Sequence, residues 1–245
     1  MGNIFSANDF WNTPVIFSPS LICLDHCNFE NQVRVLEENG VEVLHVDIID
    51  GHFSPSMPLG LETVRALRKK TNIRFDVHLM VHSQNDYFFD ELFDIGVEQL
   101  IFHIETEVHP DMRLASIRKR GIRAGVALKP STPLSTLDYI IERCDTVLLM
   151  LINPGYAGDP VEKQVPYAGR KIAELRRMLS EKNLSVKIEL DGRVSKETIM
   201  QHSQGLEDKA DIFVVGSSCL SKDNLATGVN EINSLRNSLL EEIRL

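Results

Sequence analysis

Short runs of β-branched and aliphatic residues alternate with longer amphipathic runs along almost the whole chain, and this repetition limits the fold more than any other feature. Strand-like runs cover 15–21, 43–49, 73–81, 98–104, 122–128, 146–152, 185–190 and 211–215. Helix-like runs cover 29–38, 61–70, 86–95, 112–119, 134–141, 163–180, 196–202 and 224–240, with Asn39-Gly40 and Gly96 placed as stops. Alternation without a long linker predicts parallel βαβ units. Eight such units within 245 residues predict one α/β domain, a closed (β/α)₈ barrel over 15–245, with an open doubly wound sheet as the competing topology. Residues 1–14 form an N-terminal extension in which Phe5, Phe10 and Trp11 either dock on the barrel or belong to a frayed tail.

Lys and Arg number 26 against 35 Asp and Glu, a formal charge of −9. That balance argues against nucleic acid as the main partner and against a polybasic membrane anchor. No run of about 18 apolar residues is present and no signal-like segment opens the chain, so the expected compartment is the cytoplasm. Cys23, Cys27, Cys144 and Cys219 form no CxxC pair and read as buried reduced thiols.

In a barrel of this kind the chemistry sits at the C-terminal ends of the strands. The second strand-like run carries His45 and Asp47, the third Asp76 and His78, the seventh Glu189 and Asp191. Residues two apart share one face of a strand. Each run is otherwise apolar, so these groups need partners: unpaired burial would cost several kcal/mol. Two solutions stay open, a buried His–Asp hydrogen-bond cluster or a divalent cation. Imidazoles and carboxylates together suit Zn²⁺, Fe²⁺, Mn²⁺ or Co²⁺. A cation on a carbonyl and its neighbouring hydroxyl would acidify the C–H between them. Asp47 and Asp191, from different sides of the barrel, can flank the resulting planar intermediate and exchange protons on opposite faces.

Glycine-bearing loops follow the last three strand-like runs: Gly155-Tyr156-Ala157-Gly158, Asp191-Gly192 and Gly216-Ser217-Ser218. Glycines after the seventh and eighth strands, beside a helix start, are the common phosphate site of such barrels.

These residues resemble the ribulose-phosphate 3-epimerase family over nearly all of 15–235. The matching stretches are Ser18-Pro19-Ser20-Leu21, His45 to Phe53, Asp76 to Val81, His103-Ile104-Glu105, Gly125 to Leu128 with Pro130 and Thr132-Pro133, Leu149-Met150, Asn153-Pro154-Gly155, Asp191-Gly192 and Gly216-Ser217. The resemblance implies a (β/α)₈ TIM barrel of the ribulose-phosphate-binding type. It implies one divalent ion (Zn, Fe(II), Mn or Co) held by His45, Asp47, His78 and Asp191, with Asp47 and Asp191 also the acid–base pair. It implies substrate and phosphate contacts from Ser20, His78, Gly155, Tyr156, Ala157, Gly158, Gly192, Arg193, Gly216 and Ser217. The implied activity is 3-epimerisation of a sugar phosphate, D-ribulose 5-phosphate to D-xylulose 5-phosphate, in a homo-oligomer with no membrane or nucleic-acid partner.

Departures from the family pattern keep other readings alive. Arg193 replaces a second glycine after Asp191, and Asp159 brings negative charge to an anion loop. The seventh strand also resembles the allulose-6-phosphate 3-epimerase branch, so a six-carbon ketose phosphate is one alternative. A non-catalytic phosphosugar-binding barrel is another. A decarboxylase of the orotidine-decarboxylase-like kind lacks its Asp-x-Lys-x-x-Asp motif, because the third strand reads Asp76-Val77-His78-Leu79-Met80-Val81. His103 and Glu105 are expected to hydrogen-bond within the barrel mouth. His26, His82, His109 and His202 are expected at the surface, as are Arg176 and Arg177.

Overall fold

Alternate residues of a strand face opposite ways, and here the two faces differ. The computed structural model, which describes residues 10–82, 86–204, 207–220 and 224–243, forms strands β1 (Ile16–Pro19), β2 (Val43–Ile49), β3 (Arg74–Met80), β4 (Gln99–His103), β5 (Arg123–Leu128), β6 (Thr146–Met150), β7 (Lys187–Asp191) and β8 (Ile212–Val215). All pair in parallel, in the order β1-β8-β7-β6-β5-β4-β3-β2. A parallel bridge between Ser20 and His45 joins β1 to β2 and closes the ring. The fold is a (β/α)₈ barrel, and the open doubly wound alternative is excluded.

One face of every strand is aliphatic or aromatic: Leu44, Val46 and Ile48 on β2, Phe75, Val77 and Leu79 on β3, Val147 and Leu149 on β6. These residues are buried against the apolar stripes of α1 (Phe29–Glu38), α2 (Leu61–Arg68), α3 (Asp86–Ile95), α4 (Pro110–Lys119), α5 (Ala168–Glu181), α6 (Lys196–Ser203) and α7 (Leu225–Ile243). Val33 and Leu36 on α1 show the period that makes such a stripe. The opposite strand face lines the barrel axis, and much of it is polar.

The unit after β5 departs from expectation. Residues 134–141 do not form an α-helix but two short 3₁₀ turns, Leu134–Leu137 and Ile141–Arg143. Pro130 and Pro133 fix the backbone on entry, and Thr132 turns back onto the Lys129 carbonyl. The Lys171 ammonium of α5 then donates to the Lys129 and Pro130 carbonyls at 2.8 and 3.0 Å.

The segment before β1 plugs the lower end of the barrel. Phe10 and Trp11 are buried with Ile16, Val43 and Ile212, and their rings meet edge-on at 5.0 Å. The Arg74 guanidinium lies 4.4 Å above Phe10 and that of Arg123 lies 4.9 Å from Trp11. Phe5 lies outside the described residues.

Three surface or burial expectations change. His202 is buried at the end of α6, where Nδ1 faces the Asp208 carboxylate at 3.1 Å. Arg176 is half-buried and paired with Asp211 at 2.7 Å. None of the four cysteines is in a disulfide; Cys144 and Cys219 are buried, but Cys23 is half-exposed and Cys27 exposed.

Candidate active site and metal centre

Strand register brings the ionisable groups together. In the β2–β3 pair His45 stands beside Asp76 and Asp47 beside His78; β3 places Asp76 beside Gln99, and β6 places Met150 beside Asp191. The axis therefore fills in layers. At the bottom the Arg123 side chain donates to Gln99 Oε1 at 3.1 Å. Gln99 Nε2 donates to Asp76 at 2.8 Å and Glu189 at 3.3 Å. Above them His45 Nδ1 lies 3.1 Å from Asp76 and 3.2 Å from Glu189. Nδ1–H donation to Asp76 leaves Nε2 as the free ring nitrogen of His45.

The top layer holds His45, Asp47, His78 and Asp191, each offering one donor atom within 4.8 Å of the others. His45 Nε2 and His78 Nδ1 are buried and make no hydrogen bond. His45 Nε2 lies 3.3 Å from Asp47 Oδ1; His78 Nδ1 lies 3.4 Å from the same oxygen and 3.5 Å from Asp191 Oδ2. Two bare imidazole nitrogens converging on two carboxylates fit a divalent cation. A deeper set, His45, Asp76 and Glu189, is equally close; there His45 Nδ1 and Gln99 Nε2 pair with Asp76 and Gln99 also reaches Glu189 Oε2, while Glu189 Oε1 has no hydrogen-bond partner.

The electrostatics agree. Burial alone would lower the pKa of His45, yet Asp47, Asp76 and Glu189 hold it well above its ordinary value. Burial likewise opposes a raised His78, but Asp191 and Asp47 prevail. Asp47 is held far below the carboxylate range by His45 and His78 in spite of its burial. Burial and then the Asp76 charge push Glu189 up to about 8. Surroundings that favour positive charge on the imidazoles equally favour a cation placed between them.

Over this layer opens a cavity lined by Ser20, Asp47, Met80, Met150, Asp191, Arg193 and the three glycine loops. Ser20 Oγ donates to Asp47 Oδ2 at 3.0 Å, orienting that carboxylate. Gly155 has φ +80°, and a Cβ there would stand 1.5 Å from Ser54 Oγ. Gly192 has φ +111°, with the Ile152 side chain 2.7 Å from any added Cβ. Both loops need glycine to lie against the cavity. Gly158, Gly216 and Ser217 line the cavity, with Ala157. Tyr156 does not line it, and its side chain is largely exposed. Arg193, at φ +51°, is the one cation among the described lining residues. Its guanidinium donates to the Ala157 carbonyl at 3.0 Å and to the Asp159 carbonyl, tying the β7 loop to the β6 loop. The Asp159 carboxylate accepts from the Val161 N–H at 2.9 Å, and Asp159 is not among the lining residues.

Some participants escape a reading by residue type. Ile22, Cys23, Ser56, Ile152, Val194 and Val214 also line the cavity, beside Ser218 of the loop after β8. Their contribution depends on loop geometry, for which the sequence carries no periodic signal. His52 is exposed beside His82, ring centroids 4.4 Å apart, and does not line the cavity.

Comparison with known proteins agrees with this geometry. Residues 16–220 match the profile of the ribulose-phosphate 3 epimerase family. A ribulose-phosphate 3-epimerase of Treponema pallidum (strain Nichols) is 36% identical over 204 residues, 83% of this chain and 90% of that protein. One from Methanocaldococcus jannaschii is 32% identical, covering 91% of each chain. Among solved structures, KGPDC from Streptococcus mutans superposes with a TM-score of 0.63 at 12% identity, over 92% of this chain and 98% of that one; this is a likeness of fold alone. The family match over most of the barrel, together with the relatives' identity along nearly their full lengths, places the chain among the isomerases: it belongs to the ribulose-phosphate 3-epimerase family.

Proposed function

We propose that the protein is a metal-dependent 3-epimerase that interconverts D-ribulose 5-phosphate and D-xylulose 5-phosphate. The observation that carries this is the convergence of His45, Asp47, His78 and Asp191 on one point at the cavity floor. These four side chains would hold the ion. When bound, a divalent cation supplies positive charge that acidifies the C3–H of the ketose and stabilises the enediolate. Asp47 and Asp191 come from β2 and β7, so each can reach a different face of C3. One removes the proton and the other returns one to the opposite face, which inverts the centre. Ser20 holds the Asp47 carboxylate in place. Met80, Met150 and Ile152 give the cavity an apolar wall that limits water at the reacting carbon. Backbone N–H groups of the loops at Gly155–Gly158, Gly192 and Gly216-Ser217 are suited to the phosphate, with the Arg193 guanidinium beside them.

The relatives described above are named for the pentulose phosphate, and the six-carbon reading draws no support from them. Incubation with D-ribulose 5-phosphate in deuterated water, followed by NMR, is expected to give xylulose 5-phosphate carrying deuterium at C3. Turnover of allulose 6-phosphate with no deuterium entry into ribulose 5-phosphate would overturn the substrate. Phosphosugar binding without exchange into either sugar would favour the non-catalytic barrel.

A further inference from the structure

We infer that Glu105 and His103 are positioning residues that determine which nitrogen His78 presents to the metal centre. The inference rests on the metal-site reading above and goes beyond it to groups that touch neither ion nor cavity. His103, the last residue of β4, is fully buried, and its Nε2 lies 2.9 Å from His78 Nε2. Two ring nitrogens at that distance share one proton, so one donates and the other accepts. The direction is decided one step further out. His103 Nδ1 lies 2.9 Å from Glu105 Oε2, and an ionised carboxylate only accepts. His103 therefore carries its proton on Nδ1 and offers a lone pair at Nε2. His78 must then donate from Nε2, which leaves Nδ1 as its free nitrogen. That is the nitrogen facing Asp47 and Asp191 with no hydrogen bond of its own.

The outer end of the relay is held firmly. Glu105 Oε1 accepts from the Lys129 N–H at 2.8 Å and from the Thr132 hydroxyl. Phe53 covers the His103 ring at 4.6 Å between centroids. The two metal-facing histidines thus arrive by different nitrogens for different reasons. The layered axis of the barrel fixes His45, and this lateral chain from the β4 and β5 loops fixes His78.

An isosteric change tests the direction. In Glu105→Gln the side-chain carbonyl must occupy the Oε1 position, because the Lys129 N–H can only donate. The amide NH₂ then faces His103 Nδ1, and every proton in the chain reverses. His78 would carry its proton on the metal-facing nitrogen. Zinc titration of the chelator-stripped full-length chain by calorimetry is expected to show affinity weakened about 10–100-fold in Glu105→Gln. In Thr132→Val, which leaves Oε2 and the relay intact, affinity should stay within about threefold of native, so a purely structural role for Glu105 would show as comparable losses in both variants. Long-range ¹H–¹⁵N correlation spectra of the native, zinc-loaded chain give a second reading that needs no variant. They should show His103 protonated at Nδ1 and His78 at Nε2. His103 protonated at Nε2, or native-like zinc affinity in Glu105→Gln, overturns the inference while leaving the metal site standing. A native chain that takes up no zinc overturns both.

Discussion

Asp47 and Asp191 share the upper layer of the barrel axis but have different surroundings. Asp47 is buried, receives the Ser20 hydroxyl and sits against both histidines, whereas the Asp191 side chain is 16% exposed and ends its strand beside Gly192. Asp191→Asn keeps the shape and the neutral hydrogen-bonding capacity but removes the base. We expect kcat to fall by about 10²–10⁴-fold, with binding of a ketose phosphate changed much less; steady-state kinetics and a direct binding titration of the variant separate the two. Unchanged proton exchange would remove Asp191 from the acid–base pair. Residue type marked six groups on three strands, since a charged pair spaced by two in an apolar strand has few inexpensive places to go; the family resemblance singled out His45, Asp47, His78 and Asp191 from among them. The link from His103 to His78 was not legible in this way. It depends on which strands are neighbours and on ring orientation, and neither is written in the local sequence.

At the scale of elements, the β6 and β7 loops shape the anion end of the cavity by close backbone approach. Gly155→Ala would force a side chain at φ +80° into the space of Ser54 Oγ, whereas Gly158→Ala meets nothing within 4 Å. The left-handed backbone alone costs about 1–2 kcal/mol. We expect Gly155→Ala to lower the melting temperature and raise KM for the sugar phosphate, with Gly158→Ala near native in stability. Equal melting temperatures for the two variants would show that the β6 loop yields freely. Strand positions were readable because the outward face of each strand repeats aliphatic or aromatic residues two apart even where the axis-facing positions are polar. The unit at 134–141 was misread as a helix because its apolar spacing fits a helical turn, while Pro130 and Pro133 had already committed the chain to tight turns.

Over the whole molecule, the titratable groups of the barrel axis tie stability to pH, and the metal centre proposed above would tie it to the ion as well. His45 and His78 are raised above an ordinary value of 6.5 by surrounding carboxylates. Groups raised in the folded state contribute stability that is complete below their unfolded value and lost as pH climbs through the folded one. Glu189, pushed up to about 8, acts in the same direction. The metal-free protein should therefore lose stability on going from about pH 6 to about pH 9. Zinc should raise the melting temperature more at the alkaline end, where it no longer competes with imidazole protons. Calorimetric scans with and without zinc across that range check this, and a zinc effect greatest at acidic pH would contradict it. At the lower end of the barrel, Phe10→Ala should cost about 3 kcal/mol in denaturant unfolding and leave kcat near native, because the plug lies below the site.

The chain has a single tryptophan, and it is Trp11, packed beneath the barrel beside Arg123. Its emission should follow closure of that lower end and stay insensitive to a sugar entering from above. Fluorescence and isotope exchange recorded on one sample would then report folding and turnover as independent signals, with no added dye.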